Sequence, residues 1–144
     1  MKSKKLSAQI EFSIEFYDVD SMNIVWHGNY IKYFEKARCA LLEKIGYGYP
    51  QMTSSGYAFP VTDIKVKYIK PLFFQQKVQA IATLEEYESI LRISYILQDV
   101  QTGEITTKGK SSQVAIKIDT RTTCFDCPEV LITKVRTLLQ QEEK

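Results

Sequence analysis

Apolar and polar residues alternate from Ala8 to Phe16, a stretch rich in Ile and Phe, which is the period of a strand with one face on a core. From Asp18 to Gly28 the alternation disappears. Beyond it Tyr30, Phe34, Ala37, Leu41 and Ile45 recur at helical spacing, with Lys32, Glu35, Lys36 and Glu43 on the opposite side. This pattern predicts a helix capped by Asn29 and ended by Gly46. Ile31, Tyr33, Ala40 and Leu42 widen the apolar arc, so the helix is expected to be deeply embraced.

Four strands are predicted after it. Ile64, Val66 and Tyr68 alternate with Asp63, Lys65 and Lys67 until Pro71 closes the run. Val78, Ala80, Ala82 and Leu84 carry the next, and Leu91, Ile93, Tyr95 and Leu97 the one after. Gln101-Thr102-Gly103 turns the chain into a long last strand, Glu104 to Ile118. Its apolar parity changes between Ile105 and Val114, Ile116 and Ile118, which a bulge near Gly109 would explain. Pro128 to Leu139 reads as a helix with Leu131, Val135 and Leu138 on its buried side. The plan is α+β: a strand, a long apolar helix, four antiparallel strands and a short terminal helix. One sheet wrapped around one helix leaves open edges, so pairing of two copies is expected.

Composition narrows the class without naming a chemistry. The 144 residues, 44% hydrophobic and 25% charged, suit a single domain spanning 1–144. Such a chain buries roughly two thirds of its unfolded surface, enough to fold without metal or disulfide staples. The net charge of +2 is too small, and its basic residues too interspersed with acidic ones, for a nucleic-acid-binding protein. No apolar run is long enough for a transmembrane segment, and none follows the basic start Met1-Lys2-Ser3-Lys4-Lys5 as in a signal peptide, so a cytoplasmic protein is expected. Cys39, Cys124 and Cys127 are too few for a disulfide framework, and the Cys124-Phe125-Asp126-Cys127 motif lacks the two further ligands that zinc needs. It is expected to be a surface loop with incidental thiols.

The chemistry concentrates in Tyr17-Asp18-Val19-Asp20-Ser21-Met22-Asn23-Ile24-Val25-Trp26-His27-Gly28-Asn29-Tyr30, which holds two carboxylates, the only histidine and the only tryptophan. This segment leads into the N-terminus of the apolar helix, where unpaired N–H groups favour a developing negative charge. From the residues alone two readings stand. The loop is a reactive site with an oxyanion-binding helix start, or Asp18 and Asp20 make turn hydrogen bonds while Trp26 and His27 pack beside the helix.

The stretch resembles the signature of the 4-hydroxybenzoyl-CoA thioesterase family, including its Tol-Pal-associated branch. Asp18-x-Asp20, Val25-Trp26-His27 and Asn29-Tyr30 match in order and spacing, and Glu35-Lys36-Ala37-Arg38 continues the helix pattern. The resemblance implies a hotdog fold and hydrolysis of an acyl-CoA thioester without cofactor or metal. It implies a dimer, or a tetramer built as a dimer of dimers, with active sites between subunits. By the same resemblance Asp20 is the catalytic carboxylate, as nucleophile or as general base, and backbone N–H groups near His27 polarise the carbonyl. The His27 side chain orients water or thioester, or protonates the departing thiolate, and Asp18 holds the turn. Trp26, Tyr30, Phe59 and Phe73 are expected along the acyl group. Arg121 is preferred for the CoA phosphates over Lys65, Lys67, Lys70, Lys108 and Lys110. Two positions depart from the pattern: Phe16 stands where many relatives carry tyrosine, and Asn23 where they carry a turn glycine, although asparagine tolerates the left-handed conformation.

Two other functions fit the same fold. A hydratase or dehydratase of acyl thioesters is disfavoured because Asp20 and His27 stand seven residues apart rather than five. A non-catalytic module that binds acyl-CoA or acyl carrier protein would have no need of Asp20. Acyl carrier protein also remains open as the thiol carrier of the substrate.

Overall fold

The computed structural model describes residues 4–142, so Met1 to Ser3 of the basic start and the last two positions of the expected domain lie outside the described residues. Strand β1 (Ser7–Ser13) is followed by two single 3-10 turns, Phe16–Asp18 and His27–Asn29, and by helix α1 (Tyr30–Ile45). A short helix α2 (Tyr49–Ser54) and strand β2 (Tyr57–Ala58) come next. Strands β3 (Val61–Tyr68), β4 (Lys77–Glu86), β5 (Leu91–Asp99) and β6 (Ile105–Gln113) follow, then β7 (Ile116–Lys117) and helix α3 (Glu129–Glu142). The main sheet has five antiparallel strands in the order β1-β4-β5-β6-β3 and wraps around α1, the hotdog arrangement.

Alternation builds the seam between sheet and helix. Val78, Ala80, Ala82 and Leu84 of β4 and Leu91, Ile93, Tyr95 and Leu97 of β5 are all buried, and they face Tyr30, Tyr33, Phe34, Ala37, Leu41 and Leu42 of α1. Alanines at the centre of β4 let the helix approach closely. Phe34 stacks on Tyr95 with ring centroids 4.6 Å apart. Its ring also occupies the place of a side chain at Gly109, where an added Cβ would sit 2.3 Å from the ring. Gly46 ends α1 in the left-handed region, φ 85°, with its N–H shared between the carbonyls of Leu42 and Glu43.

Several local expectations change. Asn29 does not cap α1: its side chain turns back and donates to the Asp18 carbonyl at 2.8 Å. The last strand does not run unbroken to Ile118, and the bulge expected near Gly109 falls earlier, at Thr106, where the register shifts so that Leu97 pairs with Thr107 and Gln98 with Ile105. Gly109 itself pairs in register with both Val66 and Tyr95. The chain instead leaves the main sheet after Gln113 and pairs again as β7 with β2. The inner row of β6 is polar, with buried Thr107, Ser111 and Gln113, which disguised its parity. Ser111 shares a 2.6 Å hydrogen bond with the Tyr95 hydroxyl, and Gln113 donates to the Phe59 carbonyl at 2.6 Å. Cys127 is not an incidental surface thiol. It is buried beside α3, and burial, with Glu86, Asp126 and Cys124 nearby, pushes its thiol up to about 12. All three cysteines are free.

No helix among the described residues is long and apolar enough to cross a membrane.

Candidate active site

The loop between β1 and α1 is built from three tight turns. In the first, the 3-10 turn at Phe16–Asp18, the Asp18 carboxylate accepts the Glu15 N–H at 3.1 Å and pairs with Lys32 of α1 at 2.6 Å. Asp18 is buried, which opposes its ionisation. The Lys32 ammonium and the Glu15 N–H outweigh that cost and hold the carboxyl below its ordinary value. Tyr33 faces the same carboxylate without completing a hydrogen bond of normal geometry.

The second turn is a hairpin. Val19 and Val25 bridge, the Asp20 N–H donates to the Ile24 carbonyl at 2.9 Å, and Asn23 adopts φ 65°. The left-handed residue expected here is therefore present, as asparagine. Asp20 sits at the hairpin entrance and is exposed. Its Oδ1 accepts the Met22 N–H at 2.8 Å and the Ile24 N–H at 3.4 Å, which fixes the carboxylate while Oδ2 makes no hydrogen bond to the described residues.

From the hairpin the chain runs to the start of α1. The Asp18 carbonyl accepts both the Trp26 N–H at 3.0 Å and the Asn29 side chain, so the buried turn anchors the 3-10 turn His27–Asn29. Within that turn the N–H groups of His27 and Gly28 donate to no acceptor among the described residues. These are the free donors of a helix start. Tyr68, the last residue of β3, donates its hydroxyl to the His27 carbonyl at 3.0 Å and lies edge-on to Tyr30.

A depression of about 360 Å³ gathers Asp20, Ile24, Val25, His27, Tyr30, Tyr68, Ile69, Lys70 and Pro71. Asp20, His27 and Tyr30 are thus brought together. The other residues singled out in the sequence are placed elsewhere. Trp26 lays its half-exposed indole over Gly28, against the His27 ring, and does not line the depression. Phe59 is a core residue, edge-on to Tyr47. Phe73 bridges Ile24 beside the site and lines a smaller neighbouring hollow. Arg121 lies in the turn after β7 with φ 58°, its N–H bonded to the Lys117 carbonyl, apart from the depression.

Tyr68 is the site residue that the sequence concealed, since it read as one more inward position of a strand. Its only signal was its place at the end of that strand, just before the irregular Ile69-Lys70-Pro71. Among the described residues no three of His, Cys, Asp and Glu are grouped to hold a metal ion.

The chain matches relatives over most of its length. It is 30% identical over 107 residues to YneP of Bacillus subtilis (strain 168), a protein whose name proposes acyl-CoA thioesterase activity; the match covers 74% of this chain and 77% of YneP. The crystal structure of the DHNA-CoA thioesterase of Staphylococcus aureus superposes with a TM-score of 0.79 at 30% identity, covering 96% of this chain and 95% of that one. The 1,4-dihydroxy-2-naphthoyl-CoA thioesterase Slr0204 of Synechocystis shares the fold, with a TM-score of 0.81 at 14% identity and coverage of 92% and 97%. Residues 14–137 match the family model of the thioesterase-like superfamily, and the chain belongs to that superfamily.

Proposed function

We propose that this protein hydrolyses acyl-CoA thioesters at the depression holding Asp20 and His27. The observation that carries the reading is the meeting of a fixed, half-engaged carboxylate with free N–H donors at a helix start, in a chain of this superfamily. The thioester carbonyl oxygen accepts from the His27 and Gly28 N–H groups, which stabilise the oxyanion as the carbonyl carbon becomes tetrahedral. Asp20 then acts in one of two ways. Its carboxylate adds to the carbonyl carbon, expelling the thiolate and leaving an anhydride that water cleaves, or it takes a proton from a water that adds directly. In both routes the C–S bond breaks, water supplies the new acyl oxygen, and the thiolate takes its proton from His27 or solvent.

Tyr30 flanks the acyl group in this reading and Trp26 borders it from over Gly28, whereas Phe59, packed on Tyr47 past the other end of α1, is left out of it. Arg121 is retained as a candidate for the CoA phosphates, supported by its exposed turn. Within the superfamily we assign the chain to the 4-hydroxybenzoyl-CoA thioesterase family, on the side of its Tol-Pal-associated branch, on the Asp18-x-Asp20 to Asn29-Tyr30 pattern. The open edges of β1 and β3 support a dimer or a tetramer of this chain.

The test is a panel of acyl-CoAs with free thiol detected. Release of thiol that disappears in Asp20→Asn supports the reading; turnover unchanged in that variant overturns it.

A further inference from the structure

The outer face of the sheet carries a second candidate site, outside the loop. In the β3–β6 pair, Lys65 lies directly opposite Lys110, and Lys67 opposite Lys108. Opposed residues of an antiparallel pair project to the same side, and these four alternate with Ile64 and Val66, the half-buried inner row. Four ammonium groups therefore rise from one patch, with roots about 5 Å apart across the strands and about 7 Å along them.

Among them is a hollow of about 530 Å³ lined by Lys65, Val66, Lys67, Lys108, Gly109 and Lys110. Phe34 and Tyr95, which meet Gly109 on the inner side, do not line it. The hollow is thus on the outer face, walled by the four lysines, with Val66 and Gly109 completing its lining.

Like charges placed directly opposite destabilise a sheet. None of the four reaches a carboxylate within 4.0 Å among the described residues, whereas Lys70 just beyond β3 pairs with Glu104. Glu85 feels Lys110 but is held by Lys5 and Ser94. Asp63, on the same face two residues before Lys65, leaves the quartet with a large excess of positive charge. The chain has 17 acidic residues against 19 basic ones, so this segregation is local.

We propose that the Lys65–Lys67–Lys108–Lys110 hollow binds a compact anion bearing two or more charges, of the phosphate or diphosphate type. Lysine holds phosphate as a point charge without demanding a planar fork, and a ring of them around a hollow suits a small anion better than the convex surface of an acidic protein. The anion comes either from the substrate's own carrier, extending past Tyr68 at the end of β3 onto the outer face, or from a separate soluble phosphate compound. The first source rests on the reaction proposed above; the second does not.

Isothermal titration calorimetry with inorganic pyrophosphate and with adenosine 3′,5′-bisphosphate, at low and at raised salt, tests the site directly. Binding that weakens with salt and falls about tenfold in K65Q/K110Q and in K67Q/K108Q, but not in the helix-surface control K36Q, supports the proposal. Absence of binding at low salt, or binding unchanged by these variants, overturns it. Thermal melts of the two double variants should match or exceed the parent, because neutralisation removes repulsion. A fall in both would overturn the premise that the lysines are unpaired.

Kinetics separate the sources. A KM raised for an acyl-CoA but not for the same acyl group on pantetheine, at constant kcat, assigns the anion to the carrier. Unchanged KM with pyrophosphate binding retained assigns it to a separate ligand. If the protein cleaves no acyl-CoA at all, the calorimetry stands alone, and failure of the reaction is distinguished from failure of the site.

Discussion

Asp18 and Asp20 are separated by one residue, and the chain treats them oppositely. Asp18 is buried, paired with Lys32, bonded to the Glu15 N–H, and its carbonyl anchors both Trp26 and Asn29. Asp20 stands in the open, with one oxygen fixed by its own hairpin and the other uncommitted. One carboxylate is consumed by structure so that the other can be held still without being used up. A loop therefore need not be loose, provided its rigidity comes from a residue other than the one it presents to solvent.

The largest expected effect separates the two outright. Asp20→Asn should lower acyl-CoA hydrolysis by about a thousandfold or more while the melting temperature moves by no more than about 2 °C. Thiol release and a thermal melt, run on the same preparation, measure both. The contrast breaks if stability collapses with activity.

Asp18→Asn should show the reverse balance, losing about 1–2 kcal/mol of unfolding free energy in urea. The figure is kept small because Lys32, half-exposed, returns to solvent rather than being stranded. Acid sharpens the point. The folded carboxyl titrates below the ordinary 3.8, so its contribution is present above that pH and is lost as pH falls through 3.8 towards the folded value. Urea midpoints measured downwards from about pH 5 should therefore fall less steeply in Asp18→Asn than in the parent. Equal slopes would deny Asp18 its role.

Smaller effects probe the hairpin and its neighbour. Asn23→Ala should cost about 1 kcal/mol because of its φ of 65°, whereas Asn23→Gly should be close to neutral; chemical denaturation of the two variants distinguishes them. Tyr68→Phe removes only the hydroxyl bonded to the His27 carbonyl, with an expected loss of about 0.5–1 kcal/mol and a few-fold drop in kcat. If kcat does not move, the 3-10 turn holds its place without β3.

Much of this architecture was legible in the chain. Alternation placed β1, β3, β4 and β5, and helical spacing with Gly46 placed α1, because those elements bury apolar side chains on one face. Where a buried row is polar, as in Thr107, Ser111 and Gln113, hydropathy misjudged the strand, and the break after Gln113 went unseen. Helix α2 and strand β2, between Gly46 and Val61, had too short a period to register. The loop from Asp18 to Tyr30 stood out by residue type, yet its division of labour depends on which carboxylate meets Lys32, a contact between residues fourteen apart. Asn29 was read as a cap because its position is right for one. Its partner turned out to be the Asp18 carbonyl, eleven residues back. The four lysines stand out one by one as phosphate candidates, but two Lys-x-Lys pairs become a square only once register is known.

Phe34 lies over Gly109, where even a methyl group would collide with its ring. Along the inner row of β6 the neighbours at the same parity are Thr107 and Ser111, so a helix shifted by one pair of residues would meet a side chain instead of a gap. Phe34 is a pin and Gly109 its socket. They set where α1 stops sliding along the sheet, and hence how far its first turn projects towards Tyr68. The alignment of the free His27 and Gly28 amides with the Asp20 carboxylate at one end of the molecule is thereby indexed at its middle, by an amino acid whose contribution is to have no side chain.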